Sequence, residues 1–146
     1  MNELPGRILA VDPGRVRVGL AVSDPSGTVA QGLPSLQSRG RAQDAEAIGA
    51  IVRERGIVEI VVGCPLDMTG GESPMSAFAR SFAEALGERA GVPVRLWDER
   101  LTSAQAERTL LEGGARRRTR REQRDRIAAV LILQGYLDWR ARHDPA

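Results

Sequence analysis

The spacing of apolar positions changes period several times along the chain, and each change marks an element. Ile8-Leu9-Ala10-Val11 is an unbroken apolar run that stops at Asp12-Pro13-Gly14. From Val16 to Val22 the apolar residues alternate (Val16, Val18, Leu20, Val22), which predicts a strand. A short turn around Gly14-Arg15 joins the two runs into a hairpin. Ser23-Asp24-Pro25-Ser26-Gly27 is a turn signal, with Asp24 expected to cap it. Thr28–Leu36 predicts a third strand, interrupted by Gly32 and Pro34.

The period then becomes helical. Ala42, Ala45, Ile48, Ile51 and Val52 line one face, and Gly56 closes that helix. Ile57–Val62 is apolar apart from Glu59, as in a strand buried on both faces. A loop from Gly63 to Glu72 leads to Ser73-Pro74, an N-cap followed by proline at the first helical position. Met75, Phe78, Ala79, Phe82, Ala83 and Leu86 form the apolar face of that helix. Val92–Trp97 predicts a fifth strand. Thr102-Ser103-Ala104-Gln105 fits a capping box for a helix to Glu112. An arginine-rich stretch, 115–126, leads into a last helix predicted from there to about Trp139, with 137–146 expected as a frayed tail. The order βββαβαβαα argues for one α/β domain over 1–146, a mixed sheet with helices on both faces.

Composition narrows the chemistry. The chain has 146 residues, enough for one domain with a real core. No apolar run reaches the roughly 18 residues of a membrane span, and the first residues lack the layout of a signal peptide; the expectation is a cytoplasmic protein with no membrane partner. One cysteine, Cys64, and one histidine, His143, argue against structural zinc and Cys/His catalysis. Cys64 is expected as a small core residue. Any metal must be held by oxygen ligands.

Three acidic positions lie at the edges of elements. Asp12 ends the first strand, Asp98 and Glu99 end the fifth, and Asp125 precedes the apolar run of the last helix. If strands one and five are parallel, their carboxyl ends share the edge where open α/β sheets place ligands. Carboxylates converging there repel one another unless a cation sits between them, and Mg²⁺ or Mn²⁺ suits such a set. Two such ions about 4 Å apart activate a water and stabilise the leaving oxygen of a phosphodiester. Taken singly, each acid has a plainer reading: a turn former at Asp12, a partner for a helix start at Asp98 and Glu99, and a local ion pair at Asp125.

The stretch Asp12-Pro13-Gly14-Arg15-Val16-Arg17-Val18-Gly19-Leu20-Ala21-Val22-Ser23-Asp24 resembles the opening motif of the YqgF family, also called RuvX, pre-16S rRNA nucleases similar to Holliday junction resolvases. Three further segments resemble that family's motifs in order and spacing. They are Val62-Gly63-Cys64-Pro65-Leu66 with Gly70 and Glu72, Asp98-Glu99-Arg100-Leu101-Thr102-Ser103, and Asp125-Arg126-Ile127-Ala128-Ala129. The resemblance implies an RNase H-like fold with sheet order 3-2-1-4-5 and the second strand antiparallel to the rest. It also implies a divalent-metal-dependent endonuclease that processes the 5′ end of precursor 16S rRNA. Asp12, Glu99 and Asp125 would be its metal ligands and catalytic acids. Periodicity at a strand end does not decide between Asp98 and Glu99; the family match favours Glu99. The chain departs from the family at Cys64, Asp67 and Thr69, which bear on loop-mediated specificity, and at Arg124, where an aliphatic residue is usual.

The 21 basic residues are all arginine, against 19 acids, for a net charge of +2. Seven of them (Arg116, Arg117, Arg118, Arg120, Arg121, Arg124 and Arg126) stand against Glu122 and Asp125, so this segment carries +5 and the rest of the chain −3. Arginines crowded at a helix start are unfavourable without an anion, and phosphate binds guanidinium bidentately. All but Arg126, together with Arg17 and Arg100, are candidate nucleic-acid contacts. Gly14, Gly19, Gly63 and Pro65 are expected to shape the backbone near the site. The few aromatics sit on apolar faces and form no expected stacking platform. Other readings stay open: a resolvase of four-way DNA, expected as a homodimer rather than a monomer; an actin-like ATPase, for which one domain is too little; and a non-catalytic rRNA-binding factor.

Overall fold

The computed structural model describes residues 6–65, 73–98 and 117–143, with 117–125 described by their backbone. The expected loop tip at Leu66–Glu72 and the helix expected at Thr102–Glu112 lie outside the described residues. The described elements are β1 (Arg7–Asp12), β2 (Arg17–Ser23), β3 (Ala30–Gln37), α1 (Arg41–Arg55), β4 (Ile57–Cys64), α2 (Pro74–Ala90), β5 (Val94–Asp98) and α3 (Arg117–His143). The strands form one sheet in the order β3-β2-β1-β4-β5. β2 runs antiparallel to β1 and β3, while β4 is parallel to both β1 and β5. This is the expected 3-2-1-4-5 order.

The unbroken apolar runs are the central strands. Ile8, Leu9, Ala10 and Val11 are fully buried, as are Ile60, Val61 and Val62, because helices cover both faces. Alternate residues serve opposite cores. Leu9, Val11, Ile60 and Val62 pack with Ile48 of α1 and with Phe82 and Leu86 of α2. Ile8, Ala10, Ala21 and Val61 pack with Ala129, Ile132, Leu133, Tyr136 and Leu137 of α3. β3 forms the outer strand beside β2. Its Pro34 is exposed and cannot donate to a ladder, which suits an edge.

Local chemistry sets the boundaries. Asp24 accepts hydrogen bonds from the Ser26 hydroxyl and from the backbone N–H groups of Thr28 (2.8 Å) and Val29 (3.0 Å). Those two residues are thereby held in the turn, and β3 begins at Ala30 rather than at Thr28. Ser73 caps α2: its hydroxyl accepts from Ser76 N–H, the Ser76 hydroxyl accepts from Ser73 N–H, and Pro74 follows. Gly56 and Gly91 close α1 and α2 in the left-handed region. Asp44, buried near the start of α1, accepts from Ser38 Oγ at 2.5 Å and Arg39 N–H at 2.8 Å. Cys64 is buried in the core, as expected.

The last helix corrects two expectations. It begins at Arg117, so most of the arginine-rich segment is helix rather than a lead into it; arginine is a good helix former. Asp125 therefore lies more than two turns inside. The expected frayed tail is helical to His143, because its side chains have partners. Leu137 is 3% exposed. The Trp97 ring meets Tyr136 edge-on at 5.6 Å and Trp139 at 5.9 Å. Tyr136 Oη donates to Glu59 Oε2 at 2.7 Å, and Glu59 also pairs with Arg95 (2.7 Å) and Arg140 (3.6 Å). The single polar residue in the β4 run is thus an anchor for α3. Burial, and then the hydrogen bond to Glu59, push the Tyr136 hydroxyl up to about 12. Among the described residues, no helix is long and apolar enough to cross a membrane.

Candidate active site

Asp12 is the last residue of the central strand, where an apolar run ends in a half-buried carboxylate. By alternation it shares the face of Ile8 and Ala10, the face covered by α3. Its cross-strand partner on β2 is Gly19. On the other side the last paired residues are Val11 and Val62, and one step further along both parallel strands Gly63 stands beside Asp12. Both lateral neighbours of the carboxylate in the sheet therefore lack a side chain. The hairpin beyond Asp12 is tight: a Cβ on Gly14 would collide with the Arg17 carbonyl oxygen, so the turn requires glycine there. Gly14, Gly19 and Gly63 thus lie close to Asp12.

β4 and β5 end on the same edge as β1. Gly63 pairs with Trp97 and Cys64 with Asp98. Pro65 continues from this edge, and its carbonyl accepts from Ser73 Oγ at 3.5 Å, so the loop leaving β4 closes at the N-cap of α2. The two faces of β5 are told apart by what they pack against. Trp97 packs on α3, whereas Val94 packs against the α1/α2 core. Asp98, in register with Cys64, shares the face of Val94, opposite to Asp12. Glu99, the acid favoured in sequence, lies outside the described residues, as do Arg100 and Arg116.

Asp125 is placed by its backbone in α3, with its side chain outside the described residues, and the same holds for Arg117, Arg118, Arg120, Arg121 and Arg124. The neighbouring Arg126 shows where this part of the helix lies. Its aliphatic stem rests on Gly32 of β3, where a Cβ would collide with Arg126 Cγ and press on Cδ and Val130. Gly32 pairs with Ala21 of β2, so this part of the helix lies over the β3 side of the face that carries Asp12. Of the expected carboxylates, Asp12 is thus placed with its side chain, and Asp125 by its backbone alone, in the helix that covers the same face of the sheet. Arg17, half-buried, begins β2 opposite Gln37.

A five-stranded mixed sheet of this order and orientation, with helices on both faces, is an RNase H-like fold. Solved structures agree. The chain is similar to Thermus thermophilus RuvC in complex with a Holliday junction substrate (TM-score 0.59, 18% identity, 97% of this chain and 98% of that one). It is also similar to a second Thermus thermophilus RuvC structure (TM-score 0.51, 16% identity, 94% of this chain and 96% of that one). Residues 6–139 match the RuvX family, described as Holliday junction resolvase, and the chain belongs to that family of phosphodiester-cleaving nucleases. Curated relatives carry the name "Putative pre-16S rRNA nuclease". The relative from Moorella thermoacetica is 46% identical over 132 residues, 90% of this chain and 94% of its own. That from Koribacter versatilis is 45% identical over 146 residues, 99% and 95% of the two chains.

Proposed function

We propose that this chain is a divalent-metal-dependent endonuclease that processes the 5′ end of precursor 16S rRNA in the cytoplasm. The observation that carries the reading is Asp12, a carboxylate at the end of a buried central strand, flanked by Gly19 and Gly63 on the face that α3 crosses. The substrate comes from the relatives' names, at 41% to 47% identity over most of the chain.

Hard oxygen donors are what Asp12, Glu99 and Asp125 offer, and such donors suit Mg²⁺ or Mn²⁺ rather than a softer metal. The setting of Asp12 fits an ion, since neither neighbouring strand puts a side chain beside its carboxylate. When bound, a metal pair lowers the pKa of an attacking water and stabilises the leaving oxygen. Asp12 fixes its end of the ligand set rigidly, because its backbone is paired in the sheet. Glu99 is the acid of the 98–99 pair assigned to the site, since Asp98 belongs to the other face. Asp125 supplies the third carboxylate from α3. The arginines from 116 to 124 neutralise phosphates of the substrate, so binding weakens steeply with salt.

A second reading is favoured by the family's description and by the likeness to RuvC: resolution of four-way DNA junctions. It calls for a homodimer presenting two active sites, whereas precursor trimming needs one. Cleavage of a 5′-extended 16S precursor RNA and of a four-way DNA junction, measured side by side with Mn²⁺, distinguishes them. We expect the RNA to be cut and the junction to be spared; cutting confined to the junction would overturn the assignment. RNA binding with no cleavage of either substrate would leave the chain a non-catalytic binding factor.

A further inference from the structure

Phe78 is half-buried in α2, against Phe82 at 6.2 Å between ring centroids. Two guanidinium groups converge on its ring: Cζ of Arg15 lies 5.0 Å from the centroid and Cζ of Arg41 6.0 Å. They come from separate elements. Arg15 is at the tip of the β1–β2 hairpin, three residues beyond Asp12, and Arg41 is the first residue of α1. Both are exposed. Among the described residues neither has a carboxylate partner. Asp44, three residues from Arg41, is buried and turned to Ser38 and Arg39.

This arrangement is unfavourable by itself in two ways. Two like charges share one ring and repel. Arg41 also stands at the positive end of α1, whose N-cap, Gly40, offers no side-chain oxygen. An anion between the two guanidinium groups relieves both. A guanidinium lying over an aromatic ring keeps its N–H edge free for bidentate contact with phosphate. The position identifies the anion further. The hairpin tip rises from the sheet edge that carries Asp12, on the side of α1 and α2, while the arginine-rich helix lies on the opposite face. A nucleic acid reaching Asp12 across this edge meets positive charge on both sides. Phosphates follow one another every ~3.4 Å of axis along a strand, a spacing that lets two neighbouring cations engage one backbone.

We propose that Arg15 and Arg41, positioned by Phe78, form a second phosphate-binding clamp. It holds the sugar–phosphate backbone of the substrate on the α1/α2 side of the active edge. The clamp rests on the nuclease reading for its substrate, but its test is a binding measurement. A 5′-extended 16S precursor RNA is titrated with the full chain in chelator, over a series of salt concentrations. The variants are Arg15→Gln/Arg41→Gln and, separately, Phe78→Leu.

The double variant is expected to lower the slope of log K against log salt by about 2 and to weaken binding on the order of tenfold at moderate salt. Its melting temperature should match that of the parent, since both arginines are exposed. Phe78→Leu keeps both charges and is expected to weaken binding with the slope retained. Slope and affinity equal to the parent's in the double variant would overturn the clamp, as would salt-independent binding by the parent. Should the parent bind RNA with the expected slope but cleave nothing in Mn²⁺, the catalytic reading fails and the clamp stands.

Discussion

At the scale of single residues, Asp12 owes its setting to two side chains that are not there. The acid was visible in the sequence, as the polar stop of an apolar run. Gly19 and Gly63 were legible as backbone-shaping residues nearby, but their place on either side of the acid depends on the register of three strands. Asp98 makes the same point: a strand end has two faces, and which one α3 covers became apparent only from the packing of Trp97 and Val94. Asp24 was legible as a turn residue, and its hydrogen bonds have a consequence in acid. The Ser26 hydroxyl, then the Val29 and Thr28 amides, hold its carboxyl at about 2, below the ordinary 3.8. A depressed carboxylate stabilises the fold above its unfolded pKa and loses that stabilisation as the pH falls through the folded value. Thermal melts from pH 4 to pH 2 should therefore show a shallower fall in Asp24→Asn than in the parent. Parallel curves would show that these bonds contribute nothing.

At the scale of elements, the strands and the first two helices follow from periodicity and caps, while the last helix extended past both expected ends. A run of arginines reads as a lead into the helix because it lacks the apolar periodicity that marks one. The end reads as a tail because Trp139, Arg140 and His143 look polar or isolated until β5 and Glu59 are packed beside them. Leu137→Ala is accordingly expected to cost about 2–5 kcal/mol, measured by denaturant unfolding. A cost below about 0.5 kcal/mol, the range of an exposed site, would restore the frayed tail. The faces of β5 carry a catalytic prediction. Glu99→Gln should lower the single-turnover cleavage rate at least about 100-fold, and Asp98→Asn should leave it within a few-fold. The reverse order would place Asp98 in the site.

For the whole molecule, charge placement matters more than the total. A net of +2 divides into +5 over 116–126 and −3 elsewhere, and within that acidic remainder the fold gathers Arg15 and Arg41 on one ring. The first cluster is contiguous and could be read directly. The second joins residues 26 positions apart in the chain and exists only once α1 and the hairpin meet α2. The second lies beyond the end of β1, three residues from Asp12 at its nearer member, so the hairpin links the carboxylate to that pair of cations. The central claim is that the edge where β1, β4 and β5 end is a metal-dependent nuclease site organised by Asp12. Its most direct test is single-turnover cleavage of a 5′-extended 16S precursor RNA in Mn²⁺ by the parent and by Asp12→Asn. RNA affinity is measured in parallel with chelator present. The account predicts a loss of at least about 100-fold in cleavage with affinity retained; cleavage by Asp12→Asn at the parent's rate would contradict it.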